Sequence, residues 1–417
     1  MKRLLIYLLA VFAGGTGIVC AQVNFDEFDT VYKYPDRRGK RMKVIRGKVT
    51  QETTEGVVYT IGLNQKKRIE PSMVQKVEYG SSKNQHLNKA REQYLKGVTA
   101  YEEGDFNVAA AVFERALRTA REHGLDDSWV GAYGRYYLGR SLVDEGLDKK
   151  EKGLLKAIYR KRFKDAVKAF EELNEKFPSH RLQMDLPVPY ARALMNTGNT
   201  EDLEKAVRIL DDVSVHSRNQ YVLLKKLKAL KLKGDVLKEA GKLDGAESAY
   251  KEMLRVAPKG PAIDEIVHLK QFIRIYLGIV IFEKAQKKSV PEFYDAAEEY
   301  FRGILTDVSA TGIRVGELDK IYFYLGECRF KRDDWEHAIW YYLHGSVAYF
   351  RDANIHKKCL YKTIVCTEKL IEGTDKEKER NRYISGMEEW YRQLKNNHGG
   401  SGEYIKAGKI YRKYMKE

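Results

Sequence analysis

A glycine, an alanine twelve residues later and an aromatic ring four residues after that recur as one frame along this chain of 417 residues. The frame runs from Gly97 through Ala109 to Phe113, from Gly234 through Ala246 to Tyr250, and from Gly326 through Ala338 to Tyr342. Self-similarity of this kind marks stacked units, none of which can bury its apolar face alone. It excludes most enzyme folds for the larger part of the protein.

Each unit reads as two antiparallel helices. Gly97, Gly139, Gly234, Gly278 and Gly326 lie in the first helix of their units. Glycine inside a helix costs about 1 kcal/mol relative to alanine, so its recurrence calls for close packing. In the second helix, Ala246, Tyr250 and Met253 follow i, i+4, i+7 spacing, which is one apolar face. Ala166 with Phe170 and Leu173, Ala206 with Leu210 and Val213, and Ala297 with Phe301 and Ile304 repeat it. Pro178 and Pro258 close their units.

YLG at 137–139, 276–278 and 324–326 is similar to the first helix of the tetratricopeptide repeat family. GDF at 104–106 and DDW at 333–335 resemble its inter-helix turn. The resemblance covers roughly 84–415 and implies a mainly α fold, a tetratricopeptide-like α-solenoid of six to seven helical hairpins. The alanines at 109, 166, 206, 246, 297 and 338 are spaced by 57, 40, 40, 51 and 41 residues, longer than the family's period of about 34. The extra length falls at 144–161 and 283–293, as longer helices or loops or, at the basic stretch 149–164, a binding loop. A weaker seventh pair is expected at 355–371 and 380–394, with a capping helix at 403–415.

The first 21 residues read as an address. Lys2 and Arg3 precede an apolar run at 4–13, and Val19-Cys20-Ala21 fits a small-x-small cleavage site. Processing after Ala21 would export the protein to a bacterial periplasm or the medium. Gly17 and Val19 stand where a lipoprotein signal carries leucine and a small residue, which disfavours a lipid on Cys20. Cys328, Cys359 and Cys366 then remain. Cys359 and Cys366 are two helical turns apart, too far to bridge within one helix. Buried free thiols are expected, with one Cys328 bridge as the alternative.

Residues 22–80 break the helical pattern and form a small β-rich module ahead of the 84–417 array. Strands are expected at 44–49, 57–63 and 73–79, with turns at 53–56 and 64–67. This segment resembles a strongly bent antiparallel barrel of the SH3-like or Sm-like kind. Ile69-Glu70-Pro71 followed by Val74 matches the short crossover of those modules. So short a segment holds little core, so it should dock on the first helical pair.

The formal charge is +16. Candidate basic patch residues are Arg37, Arg38, Lys40 and Arg41, then Lys149, Lys150 and Lys152, then Lys225, Lys226 and Lys228. They suit anionic lipid headgroups, polysaccharide or an acidic protein, or form a solvated surface without a partner. Nucleic acid is not expected, because no recognition motif is present.

Zinc, nucleotide and serine-hydrolase motifs are absent from the sequence. His356 with Cys359 at i, i+3 reads as packing, and Asp333, Asp334 and Glu336 as the acidic start of a repeat helix. Tyr133, Trp340, Tyr341, Trp390 and Tyr391 could line a peptide groove or belong to the core. The lysine–asparagine clamp that some family members use for a terminal carboxylate is missing. The reading is an exported scaffold without catalysis, cofactor or metal, binding a protein or peptide through its helical groove. The alternatives are an envelope-associated polyanion binder using the basic patches and the β-module, and an enzyme with an unrecognised site.

Overall fold

The first described residues form a five-stranded antiparallel sheet, three of whose strands alternate β-branched and polar side chains. The structure is a computed structural model describing residues 28–35, 42–61, 65–213, 219–260, 262–288, 290–311, 318–348 and 352–414. The expected leader and the patch residues Arg37, Arg38, Lys40 and Arg41 lie outside these. The strands are β1 (Asp29–Lys33), β2 (Lys43–Thr53), β3 (Gly56–Ile61), β4 (Gln65–Ile69) and β5 (Val74–Glu78), in the order β4-β3-β2-β1-β5. A single 3-10 turn, Pro71–Met73, forms the crossover into β5. Val31, Val57, Tyr59, Ile69, Val74 and Val77 fill the interior.

Two strands escaped the sequence reading. β1 is only five residues long, and its one fully buried valine, Val31, is too little for a periodic signal. Residues 64–67 were expected to turn, yet Gln65–Ile69 pairs with β3. Its sequence QKKRI is exposed except for Ile69, so it reads as polar. Lysine on a strand paired along one side only is a common guard against edge-to-edge association.

Fifteen α-helices follow among the described residues. The chain divides into two compact units at Leu232/Lys233, within the seventh helix. The first unit holds the sheet, α1 (Gln85–Glu102), α2 (Phe106–Glu122), α3 (Trp129–Glu151), α4 (Lys156–Lys176), α5 (Pro187–Thr197), α6 (Thr200–Asp211) and the start of α7 (Gln220–Glu239). The second holds the rest of α7, α8 (Leu243–Val256), α9 (Asp264–Lys288), α10 (Phe293–Thr311), α11 (Leu318–Phe330), α12 (Trp335–Leu343), α13 (Ala353–Glu372), α14 (Glu377–His398) and α15 (Gly402–Tyr414). These are tetratricopeptide-like hairpins, α1/α2 through α13/α14, followed by α15. The extra residues at 144–161 and 283–293 mostly lengthen α3, α4 and α9, which reach 23, 21 and 25 residues.

The recurring glycines face rings. A Cβ added to Gly97 would lie 2.7 Å from Phe113, at Gly278 2.6 Å from Phe301, and at Gly326 2.5 Å from Tyr342. Gly139 meets Phe170 and Gly234 meets Tyr250 in the same way. The glycine thus makes room for the aromatic ring four residues after the alanine. Ala109, Ala166, Ala206, Ala246, Ala297 and Ala338 are fully buried beside these contacts. In the second unit, Ile275, Ile279, Phe301, Ile304, Leu318, Ile321 and Leu325 make one continuous cluster. At its end Tyr391 stacks between Tyr404 and Tyr411 of α15, and Leu360, Met387, Leu394 and Ala407 close the core.

Cys328, Cys359 and Cys366 are free and buried. Burial pushes all three thiols up, Cys366 to about 12, so they remain protonated. His356 hydrogen-bonds His398 at 2.8 Å. Asp334 is occupied by Arg329 and His337.

Candidate binding cleft and the buried ion network behind it

Glu52 of β2 points away from solvent, with its side chain 3% exposed. One carboxylate oxygen accepts from Tyr133 Oη (2.6 Å) and Arg181 Nε (2.8 Å), and the other from Tyr79 Oη. Arg181 also donates to Asp185 Oδ2 (2.8 Å) and to Tyr133 Oη (3.1 Å). Asp185 in turn accepts from Lys225 Nζ (2.6 Å). Strand β2, α3, the 3-10 turn Arg181–Met184 and α7 are joined by this one chain of charges.

Burial opposes ionisation of Glu52, but the Arg181 charge, His180 and the two tyrosine hydroxyls outweigh it and hold the carboxyl below its ordinary range. Asp185 is depressed likewise, burial again being overcome by Arg181 and Lys225. A buried pair survives only when its remaining lone pairs and protons are also satisfied, as here.

The sheet therefore docks more widely than on the first helical pair. Arg91 of α1 donates to the Tyr79 carbonyl at 2.6 Å, while Tyr79 stacks on Trp129 of α3 with centroids 4.6 Å apart. Thr54 N donates to Ser179 O at 2.9 Å, and Asn219 Nδ2 to Pro35 O at 2.9 Å. Tyr133, unassigned on sequence, is core to this docking.

In front of the network lies a cleft of about 490 Å³, bounded by Tyr34, residues 75–76, α3, α5 and α7. Tyr34, Tyr136 and Tyr137 supply its aromatic walls. Arg140 sits among Tyr101, Tyr136 and Tyr137, its guanidinium carbon 4.9, 5.7 and 5.7 Å from their centroids. It donates to Tyr101 Oη at 2.8 Å. Burial pushes the Tyr34 hydroxyl up to about 12, so at neutral pH it is a phenol able to donate.

Lys76, Arg140, Arg192, Lys225 and Lys228 bring five cations to the cleft, against the carboxylates of Asp144 and Asp185. Both carboxylates are engaged, Asp144 by Tyr101 and Asp185 by Arg181 and Lys225. Lys76 is taken up by Glu78 at 2.8 Å. Arg192 is exposed and has no ion pair among the described residues. The cleft therefore carries surplus positive charge beside phenol donors and ring faces, a chemistry that takes carboxylates and aromatic or aliphatic side chains.

The described residues of the candidate basic patch fall at two places on the first unit. Lys225 and Lys228 border the cleft, but Lys226 does not. Lys149, Lys150 and Lys152 sit at the end of α3, where they engage Glu145, Asn196 and Asp148. Tyr34, Arg140 and Arg192 carried no sequence signal beyond residue type, because strand, turn and helix bring them together. Trp340 is half-exposed and lies tilted against His344 in the second unit, with centroids 3.8 Å apart. Among the described residues no group of three or more His, Cys, Asp or Glu is placed to hold a metal ion.

No family model and no curated protein matches the sequence. Among solved structures, the chain is similar to one titled as a functional characterisation of Pseudomonas aeruginosa pilF, at 16% identity, over 66% of this chain and 99% of that one, with a TM-score of 0.39. It is also similar to the apo form of the quorum sensor NprR from B. thuringiensis, at 12% identity, over 79% and 87%, with a TM-score of 0.43. A tetratricopeptide repeat protein from Parabacteroides merdae matches at 12% identity, over 67% and 100%, with a TM-score of 0.33. At this level of superposition, the partners of those proteins say nothing about partners of this chain.

Proposed function

We propose that this protein is an exported scaffold without catalysis of its own, which holds an acidic segment of a partner protein or peptide in the cleft of its first unit. The observation that carries the reading is the combination of Arg140 caged by tyrosines, Arg192 without an ion pair among the described residues, and cleft carboxylates already engaged. Stacked helical hairpins commonly present such concave recognition surfaces. Acidic side chains would meet Arg140 and Arg192 while a ring or aliphatic group lies on Tyr136 or Tyr137.

Selection of displayed random peptides on the protein tests this directly. Enrichment of Asp and Glu is expected, with affinity reduced about tenfold or more by Arg192→Glu, since reversing a charge beside a bound carboxylate costs on the order of 1.4 kcal/mol or more. Selection without acidic enrichment, or peptides that bind Arg192→Glu as tightly as wild type, overturns the cleft as the site.

Export rests on the basic start, the apolar run and the Val19-Cys20-Ala21 junction. Amino-terminal sequencing of the protein from its native host is expected to begin at Gln22. A retained Met1 or a lipid-modified Cys20 would contradict it.

A further inference from the structure

The turn between α3 and α4 shows three aliphatic side chains to solvent. Leu154 is 43% exposed, Leu155 74% and Ile158 42%. The turn is not slack: Lys152, Gly153 and Leu154 donate their N–H groups back to Asp148, Lys150 and Lys149 at 2.9, 3.1 and 3.1 Å. Gly153 takes φ +73, the left-handed conformation that closes a helix end. Leu155 stands at the N-cap of α4 without a side-chain cap, a position that serine, threonine, aspartate or asparagine would stabilise. Leucine there does nothing for the helix. The spacing 154, 155, 158 keeps all three side chains at one end of α4.

Around this tip the charge is almost wholly positive. Residues 149–164 hold eight lysines and arginines and one acid, Glu151. Lys156, Lys161 and Lys164 are exposed and have no hydrogen bond or ion pair among the described residues.

We propose that this turn docks the protein on an anionic lipid bilayer. Leu154, Leu155 and Ile158 enter the boundary between headgroups and acyl chains, and the surrounding lysines meet lipid phosphates. An aliphatic tip ringed by cations is how peripheral segments bind such surfaces, and lysine stems can lie along the apolar layer with their ammonium groups in the headgroups. A protein-binding surface would more often centre on aromatic residues and arginine and be poor in lysine. No helix among the described residues is long and apolar enough to cross a membrane. It is independent of the cleft, which uses none of these residues.

The test uses residues 22–417, which hold every described element and lack the apolar run at 4–13 that would bind vesicles on its own. The protein is expected to sediment with vesicles of phosphatidylglycerol and phosphatidylcholine, and not with phosphatidylcholine alone. Changing Leu154, Leu155 and Ile158 to serine together should weaken binding by about tenfold or more, and Lys156→Gln by about fivefold. The indole introduced by Leu155→Trp should shift its emission to the blue on adding anionic vesicles. Circular dichroism confirms that each variant is folded. Absence of sedimentation, sedimentation unchanged in the triple serine variant, or an indole whose emission does not move overturns the proposal. Retention on polyglutamate through these leucines, without vesicle binding, overturns it in favour of an acidic protein partner.

Discussion

Arg181→Ala is expected to release the sheet from the helices and destabilise the first unit by about 3–5 kcal/mol, the usual cost of stranding a buried charge. Arg181 is 1% exposed, and its loss leaves Glu52 and Asp185 without the cation that keeps them ionised. Trp129, stacked on Tyr79, reports the event. In a background with Trp335, Trp340 and Trp390 changed to phenylalanine, its emission in urea should report the sheet's release at a clearly lower denaturant concentration. Glu52→Gln keeps the shape, removes the charge and should cost less. An unchanged transition in Arg181→Ala would show that the network contributes nothing to docking.

The same network sets the response to acid. Glu52 and Asp185 have folded pKa values below their ordinary 4.5 and 3.8. Their stabilisation is therefore complete above those ordinary values and is lost as pH falls through the depressed folded ones. The two carboxylates should therefore loosen the sheet only in acid stronger than pH 4. His180, whose folded pKa burial holds below 6.5, begins to withdraw stability as pH falls below 6.5, which urea melts followed by Trp129 emission across pH 3–7 would resolve.

Gly278→Leu is expected to unfold the second unit's core around α9 and α10. Even a Cβ at this position would lie 2.6 Å from the Phe301 ring, so the helices must separate or the ring must leave. Overpacking of this kind costs typically 1–3 kcal/mol, and a side chain as large as leucine should reach or exceed the upper end. Phe301 packs with Ile275, Ile304 and Leu325, so the loss should spread to α11. Gly303→Ala is the control. That glycine lies exposed on α10 with nothing within 4 Å of an added Cβ, and alanine there should be neutral or stabilising. Comparison of the two by thermal melting decides the matter, and a wild-type melt for Gly278→Leu would refute close helix packing at this position.

Sequence spacing placed Gly278 in the first helix of its unit and called for close packing there, but it did not name the group that fills the space, which is the Phe301 ring, one turn after Ala297. Long helices at a repeating interval state their own partners, because helix periodicity and short turns leave few ways to bury each face. For the same reason the pair at 355–371 and 380–394 and the cap near 403–415 could be placed, and they emerge as α13, α14 and α15. Strands gave weaker signals: the alternation at 44–49, 57–63 and 73–79 located β2, β3 and β5, while β1 and the lysine-rich β4 lacked it.

The cleft depended on long-range folding. Glu52 and Arg181 are 129 residues apart, and nothing in the vicinity of either names the other. Tyr34 and Arg140 meet the same cavity only because β1, α3 and α7 converge there. A lysine's charge can be read from its code letter, but whether it is spent on a neighbour cannot. Lys149 and Lys152 of the basic stretch are held by Glu145 and Asp148 one turn away, while Lys156 and Lys161 face solvent. Local spacing thus decided the helical hairpins, since their contacts lie close in sequence. Tertiary packing decided the ion network and the cleft, since burial and charge pairing there join residues that no local pattern links.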